Sequence, residues 1–429
     1  MRERTSQWTA TNSGQGQGQG RWASSVPILH TLRRRGGIKR SEVARELGLS
    51  TSTATEVSLR MRRAQLISEG QSEPQGRGRP SPIILPHPAG PLVGIVELTI
   101  TGWRALVADV TAQLRPVFSA PLPARSDEFL SDAHDLVGRL RAEHGQRLVA
   151  LVISVPATVR AGRYAEPFSL GWDHIDFGPV LDSVADLRVI VENNATLAGI
   201  IEAERLHSEL PGARSVLYLE IGENMGGSLI VDGRTMLGAT GSSGEFGHMP
   251  LGDDTTSCKC GSRGCWGTSV SGYGLAARLG DPEPDNPTAY FADLLARTQS
   301  IRQREHRAAV TIGGVEEDLE ELRSVRNRQE AKVVRDAAWR LGRGVAALVN
   351  ALAPDALVFG GLAAPLHGAH EDAFSLSFET HLMTARQFEL PAVGYARCGR
   401  DAAALGAALL ALDLALDEAG LAAWEAAHS

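Results

Sequence analysis

One stretch constrains this chain more than any other: GEFGHMPLGDDTTSCKCGSRGCWGT, residues 244–268. Three of the four cysteines, Cys258, Cys260 and Cys265, fall within eight residues, and His248 stands shortly before them. Three thiolates and one imidazole meet the tetrahedral demand of Zn2+. Gly261 and Gly264 let the loop curl so that the sulfurs face inward. The competing reading is a set of small buried thiols, and such tight clustering argues against it. Four protein ligands leave no open coordination position, so the expected zinc is structural rather than hydrolytic. Cys398 stands alone and reads as an ordinary core thiol.

The 429 residues make two or three domains, and 43% hydrophobic content excludes a disordered chain. No apolar run reaches membrane-spanning length, and MRERTSQWTATNSGQGQGQG lacks the apolar core of a secretory signal. With so few cysteines there is no disulfide framework, and a cytoplasmic protein without a membrane partner is the expectation. The net charge of −7 hides a split. Residues 1–90 hold 14 Lys and Arg against 6 Asp and Glu, and the remainder 29 against 44. A basic head on an acidic body fits a nucleic-acid-binding module attached to a sensor or enzyme.

Residues 1–24 read as a disordered tail. From Pro27, Val26, Leu29 and Leu32 mark a helix stopped by Gly36-Gly37. A second short helix starts near Ser41, with Val43, Ala44 and Leu47 inward. After a turn at Leu47-Gly48-Leu49, Ser50 caps a third helix carrying Ala54, Val57 and Met61 on one face. This is the helix-turn-helix pattern. Its third helix would present Thr51, Ser52, Thr55 and Glu56 to base edges, with Arg60, Arg62 and Arg63 on phosphates. The run Gly76-Arg77-Gly78-Arg79-Pro80 reads as a wing whose Arg77 and Arg79 suit a narrow minor groove. The competing reading is a solvated basic loop. These features predict a winged helix-turn-helix domain over 25–82, a linker over 83–90 and a large domain over 91–429.

Beyond residue 91 the texture is α/β. Strands are expected at Val93–Ile100 and Arg104–Val110 around Thr101-Gly102, at Leu148–Ser154, at Val216–Ile221 and Gly227–Val231 with a turn at Asp232-Gly233, and at Ala356–Phe359. Helices are expected over Leu130–Glu143, 328–352 and Asp401–Leu416. Strand pairs recurring in both halves suggest a duplicated, two-lobed body with a cleft. Residues 281–330 read as an irregular charged insertion.

These residues resemble the ROK family, whose name joins repressors, open reading frames and sugar kinases. His248 with Cys258-Lys-Cys-Gly-Ser-Arg-Gly-Cys265 is similar to its zinc signature, and Glu245-Phe-Gly-His248 to its E-x-G-H sugar motif. Leu219-Glu-Ile-Gly222 with Gly226-Gly227 resembles its second phosphate loop, and Pro354–Gly361 its adenosine loop. Glu192-Asn193-Asn194-Ala195 sits where the family has E-N-D-A. The resemblance implies an actin-like, hexokinase-like pair of lobes behind the winged helix. It also implies that Asn193, Glu245 and His248 hold a sugar or sugar derivative.

The departures shape the functional expectation. The kinase signature D-x-G-x-T reads Glu97-Leu-Thr-Ile-Thr101 here, with Thr99 in place of the glycine. Asn194 replaces the aspartate that serves the kinases as general base, and a neutral amide cannot take a proton near pH 7. Glu223 adds a carboxylate to the second phosphate loop, where it repels a triphosphate. Gly267 stands where the family has a glutamate, and Ser169-Leu-Gly-Trp172 departs from its Asn-Leu-x-x-Trp-like stretch. The expectation is therefore a transcriptional repressor that binds operator DNA, senses a carbohydrate-like effector, forms a homodimer or homotetramer, and is not an enzyme. The alternatives are an ATP-dependent sugar kinase and a regulator controlled by a protein partner.

Overall fold

The computed structural model describes residues 19–71, 81–184, 187–310 and 325–428. The chain divides into two compact units, Met1–Glu166 with Asp173–Leu197 and Ala403–Ser429, and Pro167–Trp172 with Ala198–Ala402. Among the described residues no helix is long and apolar enough to cross a membrane.

The first unit begins with three helices, α1 (Ser25–Arg35), α2 (Arg40–Glu46) and α3 (Thr51–Arg63). Ile28, Leu29, Leu32, Val43, Ala54, Val57 and Met61 form their shared core. Ser50 caps α3 as its sequence position demands, its Oγ accepting from Thr53 N at 3.0 Å. A small antiparallel sheet of β1 (Ile38–Lys39), β2 (Ile67–Gly70) and β3 (Ile83–Pro86), in the order β1-β3-β2, packs beside them.

Two boundaries differ from the sequence reading. Residues 83–86 are a paired strand rather than linker, because Ile84 completes the small core at 0% exposure. Residues 19–24 are not tail, because Trp22 is buried and Gln19–Arg21 forms a helical turn. The Arg77 and Arg79 of the expected wing lie outside the described residues.

The same unit then builds a five-stranded sheet from β4 (Leu92–Thr99), β5 (Gly102–Ala108), β6 (Leu114–Ala120), β7 (Leu148–Val155) and, after β8 (Thr158–Arg160), β9 (Tyr164–Glu166) and β10 (Ile175–Asp176), β11 (Arg188–Asn193). Its order is β11-β7-β4-β5-β6, with the three hairpin strands antiparallel and the last two parallel. Helix α4 (Ser126–His144) covers it with Phe129, Ala133, Leu136, Val137 and Leu140.

The second unit repeats this plan. β12 (Ser215–Ile221), β13 (Met225–Val231), β14 (Arg234–Thr235), β15 (Ala356–Gly361) and β16 (Ala392–Tyr395) order as β14-β13-β12-β15-β16. Again the first three are antiparallel and the last two parallel. The β13–β14 turn is Asp232-Gly233, both at positive φ (50° and 74°), as the sequence predicts. Two sheets of identical strand order bear out the duplication.

After α5 (Gly178–Ser183) and α6 (Asn194–Glu209) come α7 (Gly267–Val270), α8 (Gly272–Leu279) and α9 (Pro287–Val310), then α10 (Val325–Leu352), α11 (Ala363–Ala369) and α12 (Glu371–His381). The expectation of irregular chain over 281–330 is corrected over 287–310 by α9, whose Phe291, Leu294 and Leu295 join Val334, Leu341 and Val345 of α10 in one core, while residues 311–324 lie outside the described residues. The last helices are α13 (Ala402–Ala415) and α14 (Glu418–His428).

These last two helices reach the N-terminal helices of their own unit. Trp424, 4% exposed, donates its indole N–H to Ala64 O at 2.6 Å. Ala64 is the C-cap residue of α3, so the bond satisfies a carbonyl that a helix end leaves open. Arg33 of α1 pairs with Asp413, and Arg21 with Glu425 at 3.3 Å.

Candidate functional site

The His–Cys loop is built by backbone bonds that its glycines permit. Gly261 and Gly264 both take left-handed φ, 91° and 67°. Cys258 N donates to Ser262 O at 2.8 Å and Gly261 N to Cys258 O at 3.0 Å, curling the chain around the first two thiols. Trp266 N donates to Met249 O at 2.8 Å, which brings the His248 segment over the loop. Trp266 anchors the base, fully buried, with its Nε1 donating to Arg340 O at 3.0 Å.

The result is one cluster: the ligand atoms of His248, Cys258, Cys260 and Cys265 all lie within 4.8 Å of one another. Cys260 Sγ and Cys265 Sγ are 3.7 Å apart, as are His248 Nδ1 and Cys258 Sγ. Tetrahedral Zn–S bonds of about 2.3 Å place sulfurs at roughly 3.8 Å, so the Cys260–Cys265 pair stands at the spacing that ion sets. Burial, then the neighbouring Cys258 and Cys260 thiols, pushes the Cys265 thiol up to about 12. A divalent cation among them reverses that preference, because a coordinated thiol gives up its proton. His248 turns Nδ1 to the sulfurs, and its Nε2 lies 3.8 Å from Glu245 Oε2.

The residues expected to contact sugar divide between the units. Asn193 lies in the first unit, Glu245 and His248 in the second. Asn193 has a structural role: Oδ1 accepts from Ala195 N at 2.7 Å and Thr196 N at 3.3 Å, and Nδ2 donates to Ala157 O at 2.7 Å. It is the cap that starts α6, and the run Asn-Asn-Ala-Thr-Leu-Ala carried that signal in the sequence.

Asn194 is equally committed. Its Oδ1 accepts from Ser154 Oγ at 2.6 Å, and its Nδ2 donates to Leu98 O at 3.0 Å. The side chain thereby ties α6 to β7 and β4. An aspartate here would set a carboxylate against the Leu98 carbonyl, two acceptors with no proton between them.

The altered first signature is also closed on itself. Glu97, 3% exposed, faces Arg104 across the β4–β5 hairpin, and Arg104 Nε donates to its Oε2 at 2.5 Å. Thr99 Oγ1 donates to Gly102 O at 3.0 Å and contacts Thr101 Oγ1 at 3.2 Å. Gly267 opens α7, where a side chain would approach Gly247 O at 3.2 Å.

On α3, Thr51, Ser52, Thr55 and Glu56 are exposed together. The expected phosphate contacts are less uniform. Arg60 stacks over the Trp22 ring at 5.4 Å, and Arg62 pairs with Glu69 at 3.1 Å. Cys398 is half-buried beside Arg205 Nη1 at 3.6 Å. Burial pushes its thiol up to about 11, consistent with an inert group.

A family model described as the ROK family matches residues 119–414. The chain belongs to the ROK family. It is 24% identical over 260 residues to the xylose repressor of Bacillus subtilis strain 168, covering 59% of this chain and 66% of that relative. It is 26% identical over 324 residues to the glucokinase of Streptomyces coelicolor, covering 74% of this chain and 96% of the relative. A ROK family transcriptional regulator homologous to the E. coli MLC protein superposes with a TM-score of 0.63 at 18% identity, over 94% of this chain and 98% of its own. A ROK family glucokinase from Streptomyces griseus, solved with glucose and AMPPNP, superposes with a TM-score of 0.53 at 23% identity over 75% of this chain and 99% of its own. The fold is thus common to ROK regulators and ROK kinases, and the side chains must discriminate between the two activities.

Proposed function

We propose that this ROK protein is a DNA-binding transcriptional regulator, a repressor whose kinase-like body is catalytically silent. The observation that carries the reading is Asn194. It stands where the kinase motif has its proton acceptor, and both ends of its amide are held by Ser154 and Leu98. A general base must offer a basic lone pair to the substrate hydroxyl, and this side chain offers none. Glu97 bound to Arg104 removes the first acidic signature in the same way.

The reading head supplies the positive side of the argument. Thr51, Ser52, Thr55 and Glu56 of α3 would meet base edges, with Arg60, Arg63, Arg77 and Arg79 neutralising phosphates or entering the minor groove. Zn2+ held by His248, Cys258, Cys260 and Cys265 would cross-link the loop as a structural ion. Glu245 and His248 remain the proposed contacts for a sugar-like effector. Such a ligand shifts operator affinity only by its differential affinity for two conformations. Two-fold operators call for a homo-oligomer.

The test is selection of duplexes from a random pool by the full chain. The reading expects a recurrent pair of half-sites related by two-fold symmetry, with affinity falling steeply as salt rises. A pool that enriches no sequence at moderate salt overturns it.

A further inference from the structure

A carboxylate on a surface that meets phosphates needs a reason to be there, and for one acidic residue of the N-terminal helices the protein supplies none. Residues 25–70 hold four glutamates, Glu42, Glu46, Glu56 and Glu69, and no aspartate. Glu46 pairs with Arg34 at 3.2 Å and with Arg35 at 3.1 Å. Glu69 pairs with Arg40 at 3.0 Å and with Arg62 at 3.1 Å. Glu42 sits in the first turn of α2, where a carboxylate offsets the positive end of the helix dipole.

Glu56 has none of these reasons. The first turn of α3 holds no acidic residue, so Glu56 lies beyond the reach of the helix terminus. It is exposed, and among the described residues it has neither an ion-pair nor a hydrogen-bond partner. Arg60, one turn further along, is held over the Trp22 ring at 5.4 Å.

The hydroxyls beside it are engaged. Thr55 Oγ1 donates to Thr51 O at 2.8 Å. Ser52 Oγ lies 2.8 Å from Ser50 Oγ, which also accepts from Thr53 N at 3.0 Å. Of the four side chains exposed at the start of α3, Glu56 therefore carries the strongest uncommitted acceptor.

A carboxylate brought among phosphates is repelled by them. A base that donates to it offsets that repulsion. In the major groove cytosine presents its N4 amino group. Adenine presents N6, but with the N7 acceptor beside it, and guanine O6 and N7 and thymine O4 are acceptors. A group that can only accept thus ranks cytosine first, adenine second, and guanine and thymine last.

We propose that Glu56 reads a cytosine in each operator half-site, accepting from its N4 amino group in the major groove. This rests on the operator-reading function and adds which base α3 selects.

Competition binding of the full chain to its selected duplex tests it, with each base pair exchanged in turn in both half-sites. The unmodified chain should require cytosine at one position per half-site, by about 10-fold over guanine or thymine, within the range of a mismatched base pair. Glu56→Gln should move the preference at that position to adenine, whose N6 and N7 a glutamine amide meets together. Glu56→Ala should level the four bases there, and should tighten binding to non-operator duplex because a negative charge has gone. Both variants should melt as the unmodified chain does. A second reading needs no variant: replacing that cytosine by pyrimidin-2-one, which lacks the amino group, should weaken the unmodified chain by about the same 10-fold.

An operator with no cytosine requirement, or a requirement that both variants leave in place, overturns the assignment. So does a loss in Glu56→Ala that is equal for every sequence, which would make the residue a prop for the helix, or indifference to the missing amino group. Each of these leaves the regulator intact, because a sequence has still been selected. A chain that selects no sequence at all removes both.

Discussion

The two five-stranded sheets share one strand order, and their polar residues have gone in opposite directions. In the first, the residues that mark a phosphotransferase are internal ties: Glu97 to Arg104, Asn194 to Ser154 and Leu98, Asn193 to the start of α6. In the second, the loops beyond the hairpin gather four soft donors around a common point. A duplicated scaffold can thus tie up signature polar groups in one half while keeping a metal-ready cross-link in the other. The lesson is that a signature position is informative only with its partners, since a matched residue whose side chain is already tied to the protein has less to offer a ligand.

The largest expected effect falls on the second unit. Cys260→Ser should abolish zinc retention and lower its melting transition by on the order of 10 °C, with residues 25–82 still folded. Elemental analysis and calorimetry check this, and metal-free wild-type protein of unchanged stability would break the contrast between the halves. Chelation at mildly acidic pH should act in the same direction, because ligand thiols must be deprotonated to bind.

Next is Glu97→Gln in the first unit. It strands Arg104 against a nearly buried neutral amide and should cost about 2 kcal/mol by denaturant unfolding, less than a fully buried pair because Arg104 keeps partial exposure. An effect near zero would mean the ion pair is incidental. Asn194→Asp sharpens the same point: it should destabilise by about 1–2 kcal/mol, through acceptor repulsion at Leu98 O, and should not generate sugar-dependent ATP turnover. Ser50→Ala, outside both sheets, should cost about 1 kcal/mol and weaken DNA binding by loosening the first turn of α3. A DNA affinity that is untouched would detach α3 from the reading face.

Much of this was legible before any coordinates. The metal cluster, the Ser50 cap, the Asp232-Gly233 turn and the repeated hairpins each carry a local signature, and local signatures survive into structure. What escaped was non-local. β6 alternates weakly and its side chains are largely exposed, so no apolar pattern marked it. α9 looked irregular because its second half is dense with charge in the sequence, yet Phe291, Leu294 and Leu295 suffice once α10 covers them. Residues 83–86 read as linker because the flanking prolines outweighed Ile83-Ile84, which only a paired strand explains. The Trp424–Ala64 bond joins positions 360 residues apart, beyond any pattern along the chain.

The central claim is that the body no longer transfers phosphate and acts through the DNA-reading head. A coupled ADP-release assay on the purified full chain, run over common hexoses, pentoses and amino sugars, meets it most directly. The account predicts no sugar-dependent release above the rate of a boiled control. Sustained turnover that disappears in Asn194→Ala would contradict it.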